Sequence, residues 1–81
     1  MEDVLDLHSF PPSQITGLVN DYLEMAAQRG FKNVRIIHGK GTGSLRETVH
    51  AVLRKHRRVL RFGLNPGRGG WGATVVELKK D

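Results

Sequence analysis

"RIIHGKGTGSLRETVHAVLRK", Arg35 to Lys55, passes from a β-branched run through three glycines into a segment with helical periodicity. "NVRIIH", Asn33 to His38, is β-branched and too short for a helix, whereas Leu45, Val49, Val52 and Leu53 recur at helical spacing and form one apolar stripe. The glycines between them, Gly39, Gly41 and Gly43, do not make a Walker loop, because Lys40 sits between the first two and not after the last. They do not make a dinucleotide fingerprint either. Ser44 stands where the third glycine of G-x-G-x-x-G would fall, and no second βαβ half completes a cofactor crevice. What survives is an anion site. Glycines expose backbone N–H groups, the helix that follows begins at its positive end, and Lys40 adds a full charge. Such a site suits one phosphate of a larger ligand; a plain tight turn is the competing reading of the same glycines.

Working outward, "VLDLH", Val4 to His8, is a short β-prone run, and the prolines of "SFPPS" suit a turn feeding a helix. Ile15, Leu18, Val19, Tyr22, Leu23 and Ala26 then form an amphipathic helical stripe, with Gly30 where a C-terminal cap belongs. Strand, helix, strand in this spacing implies a right-handed crossover and a parallel pair. The second helix should end near Lys55 or His56, followed by the strand "RVLRFG", the glycine-rich "GLNPGRGGWG" and a last strand "ATVVEL", the final two strands forming an antiparallel hairpin. The expected architecture is a single α/β domain over residues 4–78: βαβαββ, two helices on a mixed four-stranded sheet. In the parallel pair, His8 and His38 open on the same edge of the sheet, where sites in open α/β sheets collect.

The 81-residue chain has no cysteine, so neither disulfides nor thiolate metal sites stabilise it, and its core must suffice. No apolar run approaches a membrane span, and "MEDVLDLHS" lacks the order of a secretory signal; the composition reads as soluble and cytoplasmic. Charge is unevenly distributed. Residues 1–30 hold five acids against one base, and residues 31–81 hold twelve bases against three acids. A basic second half favours a polyanion, with nucleic acid ahead of membrane.

"LDLH", Leu5 to His8, taken with "HGKGTGSLR", His38 to Arg46, resembles the Smr domain, the small MutS-related module found at the C-terminus of MutS2 proteins and as stand-alone chains. The family's hallmarks are an L-D-x-[HR]-G motif on the first strand and an [HT]-G-x-G motif after the second. The likeness continues through "GGWGATVVEL". One departure is Ser9, which stands where the first motif usually ends in glycine and implies a different local turn. The resemblance implies a fold like the C-terminal domain of bacterial translation initiation factor three, and binding or nicking of DNA or RNA. In Smr domains the acid of the first motif is tied to cleavage and the glycine loop to substrate gripping, positions held here by Asp6 and by His38 to Gly43.

The residues themselves fit that chemistry. Asp6 lies in an apolar strand, where a buried carboxylate needs compensation. It would orient His8 or His38, hold a metal-bound water, or simply cap the strand end. His8 and His38 can exchange protons near neutral pH, as phosphodiester cleavage requires. Gly39, Lys40, Gly41, Thr42, Gly43 and Arg46 form the expected phosphate grip, extended by Arg54, Lys55, Arg57, Arg58 and Arg61. Arg68 and Trp71 offer a further charge and a stacking surface, although the indole could equally plug the core. His50 and His56 read as solvated surface positions. No H-x-x-x-H, cysteine cluster or acidic pair forms a dedicated metal site, though one carboxylate and substrate phosphates could recruit Mg²⁺ or Mn²⁺ loosely. The expected function is therefore an endonuclease with little sequence preference, acting as a monomer or weak dimer on branched or structured nucleic acid. The alternative is a non-catalytic module that docks on nucleic acid or the ribosome through the same surface.

Overall fold

The structure, a computed structural model, describes residues 1–64 and 72–80. Its elements run β1 (Val4–Asp6), α1 (Ile15–Gln28), β2 (Asn33–Ile37), α2 (Ser44–Lys55), β3 (Val59–Leu64) and β4 (Ala73–Leu78), with a single turn of 3₁₀ helix at Pro12–Gln14 leading into α1. This is the expected βαβαββ order. The first strand is shorter than the apolar run that announced it, stopping at Asp6.

The four strands lie in the order β1-β2-β4-β3. β1 and β2 are parallel, with Asp6 opposite Ile37. β4 runs antiparallel to both β2 and β3, so β2 and β3 point the same way. Both helical crossovers, β1 to β2 and β2 to β3, therefore step in one direction across the sheet. Right-handed crossovers that step in one direction put their helices on one face, and α1 does pack on α2. Among the described residues, the opposite face of the sheet carries no helix.

The core lies between these layers. Ile15, Val19, Leu23 and Ala26 of α1 and Val49 and Leu53 of α2 meet Val34 and Ile36 of β2 and Val76 of β4. Strand alternation supplies the sheet's share: Leu5 and Leu7 turn toward the helices while Val4 and Asp6 turn away. Gly30 ends α1 in a left-handed conformation at φ 82°. Its N–H bonds the Ala27 carbonyl and that of Phe31 bonds Ala26, a Schellman closure that satisfies two carbonyls at the helix end.

Glu24 ties α1 to the connection between α2 and β3. Its carboxylate accepts from Arg57 at 2.6 Å, from Arg58 at 3.3 Å and faces His56 Nε2 at 3.5 Å. Two of the arginines expected to extend a phosphate surface are thus engaged within the fold, and Arg61 pairs with Glu77 at 3.2 Å. His56 is likewise no solvated surface residue. Its side chain is only 7% exposed, and its Nδ1 accepts the Arg58 N–H. The chain leaves α2 at His56 and must turn against α1 there, which carries the ring inward.

Candidate functional site

β1 is three residues long, and its last residue points to the face without helices. Asp6 is accordingly exposed, not buried as its apolar neighbours suggest, so desolvation asks for no compensation. Its Oδ1 accepts two hydrogen bonds from one residue: the His8 backbone N–H at 3.0 Å and His8 Nδ1 at 2.8 Å. These two bonds, the backbone one foremost, hold the Asp6 carboxyl below its ordinary value of 3.8. A carboxylate can only accept, so Nδ1 carries the ring proton, and in neutral His8 the Nε2 lone pair is bare. The ring is 79% exposed. Beyond it the chain reverses in a turn closed by Phe10 N–H to Leu7 O at 3.1 Å. No non-glycine residue of the described chain has positive φ, so Ser9 fits this turn without strain.

One strand spacing away, about 4.8 Å, β2 ends and the glycine loop begins. Leu7 N–H bonds Ile37 O at 3.0 Å, which places the two motifs side by side on one sheet edge. His38 is buried, with Nδ1 2.9 Å from the Gly39 carbonyl and Nε2 2.8 Å from Thr74 Oγ1. The backbone N–H groups of His38 and Gly39 both donate to the Gly72 carbonyl, at 2.9 and 2.8 Å. Gly39 was expected to turn its N–H to a ligand; that group instead fastens the loop to the start of β4. The donors left over begin at Lys40. Among the described residues, no acceptor meets the N–H groups of Lys40, Gly41, Thr42 or Gly43.

Gly43 caps α2 at φ 90° with no side-chain cap, so the first N–H groups of that helix also face the loop with little competition, Ser44 alone reaching Thr42 Oγ1 at 3.4 Å. A Cβ on Gly43 would lie 2.7 Å from Arg46 Nη2, so the arginine folds back across the bare glycine and brings its guanidinium to the helix N-terminus. Among the described residues, neither Arg46 nor Lys40 makes an ion pair. The structure thus brings together Asp6 with His8, and Lys40 to Gly43 with Arg46, along one edge. Arg68 and Trp71 lie outside the described residues. Among the described residues no three His, Asp or Glu side chains converge as metal ligands.

His50 is where the sequence reading fell short. It is half-buried, with Nε2 2.8 Å from Thr74 Oγ1, its ring edge-on to His38 at 5.9 Å and packed on Phe62 at 4.9 Å. The spacing of Arg46, His50 and Arg54 defines a helix face but not what packs against it. Thr74, fully buried between the two imidazoles, gave no signal inside "ATVVEL". Burial first, then the charges of His38, Arg46 and Arg54, hold the His50 imidazole below its ordinary 6.5, with Glu47 opposing. In the window between that lowered value and 6.5 the unfolded chain binds the proton more readily, so stability falls as pH falls through it. Chemical denaturation of wild type and His50→Phe across mildly acidic pH should give a shallower pH slope for the variant. Equal slopes would contradict this assignment.

The Smr domain profile matches residues 5–79. The chain is 42% identical over 76 residues to endonuclease MutS2 of Staphylococcus carnosus, covering 93% of this chain and 10% of that protein. It is 48% identical over 77 residues to a putative endonuclease MutS2 of Bacillus subtilis, again 10% of the relative's length. The chain therefore spans about a tenth of the curated relatives it matches. Among solved structures, the Smr domain of Thermus thermophilus MutS2 superposes with a TM-score of 0.87 at 39% identity, covering 94% of this chain and 96% of that one. YdaL, a stand-alone small MutS-related protein from Escherichia coli, superposes at 0.81 with 30% identity over 96% of this chain and 65% of its own. The chain therefore belongs to the Smr domain family.

Proposed function

We propose that this domain binds nucleic acid and nicks its phosphodiester backbone with little regard for sequence. The observation that carries the reading is the exposed Asp6–His8 pair, its Nδ1 proton held by the carboxylate, on the same sheet edge as a loop of unpaired backbone donors. A phosphate seated on the N–H groups of Lys40 to Gly43 would be gripped through its non-bridging oxygens, with Lys40 and Arg46 offsetting the charge that builds on them. His8 Nε2 takes a proton from the attacking water, or from a ribose hydroxyl where the strand is RNA, and Asp6 steadies the imidazolium so formed. As the new bond to phosphorus forms, the bond to the leaving oxygen breaks. The proton on His8, or one from water, neutralises that oxygen. Backbone contacts of this kind read phosphates and not bases, which accounts for the expected lack of sequence preference. Where a divalent ion takes part, the substrate phosphates and the outward oxygen of Asp6 are the groups that would meet it.

Support comes from three independent sources: the geometry of the pair, the basic second half of the chain, and relatives named as endonucleases. The test is incubation of purified domain with supercoiled plasmid and with structured RNA in the presence of Mg²⁺ or Mn²⁺. The expected result is a nicked circle or a cut RNA, and binding that weakens steeply with salt. Binding without cleavage would leave docking on nucleic acid, including ribosomal RNA, as the function. Absence of both cleavage and binding would overturn the proposal.

A further inference from the structure

Thr74, fully buried, and His50, half-buried, share a continuous chain of hydrogen bonds with the start of the phosphate loop. The chain has a direction. Gly39 O is a carbonyl and can only accept, so His38 Nδ1 bears a proton. With His38 neutral, its Nε2 must accept, and the one proton of the Thr74 hydroxyl is committed to it. The same hydroxyl oxygen then accepts from His50 Nε2–H, 2.8 Å away on its other side. Resting on the reading above, we infer that His50, Thr74 and His38 form a one-way relay whose task is to aim the Gly39–Lys40 peptide at the substrate phosphate, with Thr74 and His50 as positioning residues.

The geometry says how. There is no cis peptide in the described chain, so the carbonyl of Gly39 and the N–H of Lys40 point in opposite directions across one peptide plane. His38 pulls the carbonyl inward; the Lys40 N–H, the first free donor of the loop, must therefore face outward. A second set of contacts holds the same plane. Gly72 lies so close beneath it that an added Cβ would sit 3.4 Å from Gly39 Cα and C, and the Gly72 carbonyl takes two N–H bonds from His38 and Gly39. Thr74 holds the far nitrogen of the His38 ring and so favours the tautomer that donates to Gly39, and Thr74 could not offer its proton to His38 if His50 claimed it. Loops rich in glycine lose donor geometry easily, so orientation secured in advance is worth rate as well as affinity.

Two measurements test this. In wild-type protein, long-range ¹H–¹⁵N correlations of the imidazoles should report the Nδ1–H tautomer for His38 and the Nε2–H tautomer for His50. A His38 ring protonated only at Nε2 overturns the relay whether or not the protein cuts anything. Thr74→Val then removes the hydroxyl at nearly constant shape, and Thr74→Ser keeps it. Thr74→Val should lose about tenfold or more in kcat/KM on plasmid, at a temperature well below its own melting point, while Thr74→Ser stays within about threefold of wild type. A purely structural role would instead track melting temperature, and Ser would fare no better than Val. Should wild type bind without cutting, the amide shifts of Lys40 to Gly43 on titration with a short oligonucleotide replace kcat/KM. Equal responses in wild type and Thr74→Val overturn the relay, whereas a response that is lost in Val and kept in Ser supports it.

Discussion

Asp6→Asn should lower the rate of backbone cleavage by about a hundred- to ten-thousandfold while the protein folds and melts almost as before. The reason lies in what the carboxylate does to His8. It accepts the Nδ1 proton and so leaves Nε2 bare on the solvent side. An asparagine amide can turn its NH₂ toward Nδ1, which favours the opposite tautomer and places the ring proton on Nε2, where a general base needs a lone pair. Because Asp6 is exposed and its partner more so, little packing is lost. The pH dependence follows from the same pair. A carboxyl whose folded value lies below 3.8 keeps its charge through mild acid, and whatever it adds to stability is fully present above 3.8 and lost only as pH falls through that lower folded value. The acid limb of the rate profile in mild acid therefore does not belong to Asp6. Measured nicking by Asp6→Asn within a few fold of wild type would remove the dyad from the mechanism.

Much of this site is legible in the amino-acid sequence. Alternation in "VLDLH" and β-branching in "NVRIIH" are local signals, and the two helical stripes bury the residues their spacing marks. From those alone come the parallel pair and the shared edge of the two motifs. What escaped was decided by contacts across the chain. An apolar strand does not say which of its faces a helix will cover, so Asp6 looked buried when it is the outward residue. His50 and His56 looked solvated because helix periodicity sees a face, while Thr74 and Glu24, which engage them, lie 24 residues ahead of one and 32 behind the other. Gly72, the acceptor that consumes the Gly39 donor, likewise reaches the loop only through the pairing of β2 with β4. The polar parts of the site were visible as residues; their division into exposed chemistry and buried support was not.

That division bears most directly on Gly43, where the loop's geometry and its charge meet. Gly43→Ala should cost about 1–2 kcal/mol of stability, since an L-residue at φ 90° pays the left-handed penalty at the cap of α2. In a domain of this size such a loss lowers the melting temperature by roughly 4–8 °C for each kcal/mol. A second consequence is separate. The new Cβ would fall 2.7 Å from Arg46 Nη2, too close for both to stay, and the flexible end of the arginine is what gives way. Gly43→Ala should therefore weaken nucleic-acid binding about tenfold and reduce the slope of log affinity on log salt by about one, as loss of a single phosphate contact does. Arg46→Ala should reproduce the change in affinity and slope without the fall in melting temperature. The decisive case is the double variant. If Gly43→Ala acts on binding by expelling Arg46, then in an Arg46→Ala background it costs stability as before but almost no further affinity, so the two affinity losses are strongly non-additive. Additive losses would mean that the glycine serves the ligand through the loop backbone alone, and that Arg46 reaches its phosphate by some other path than across the bare Cα of Gly43.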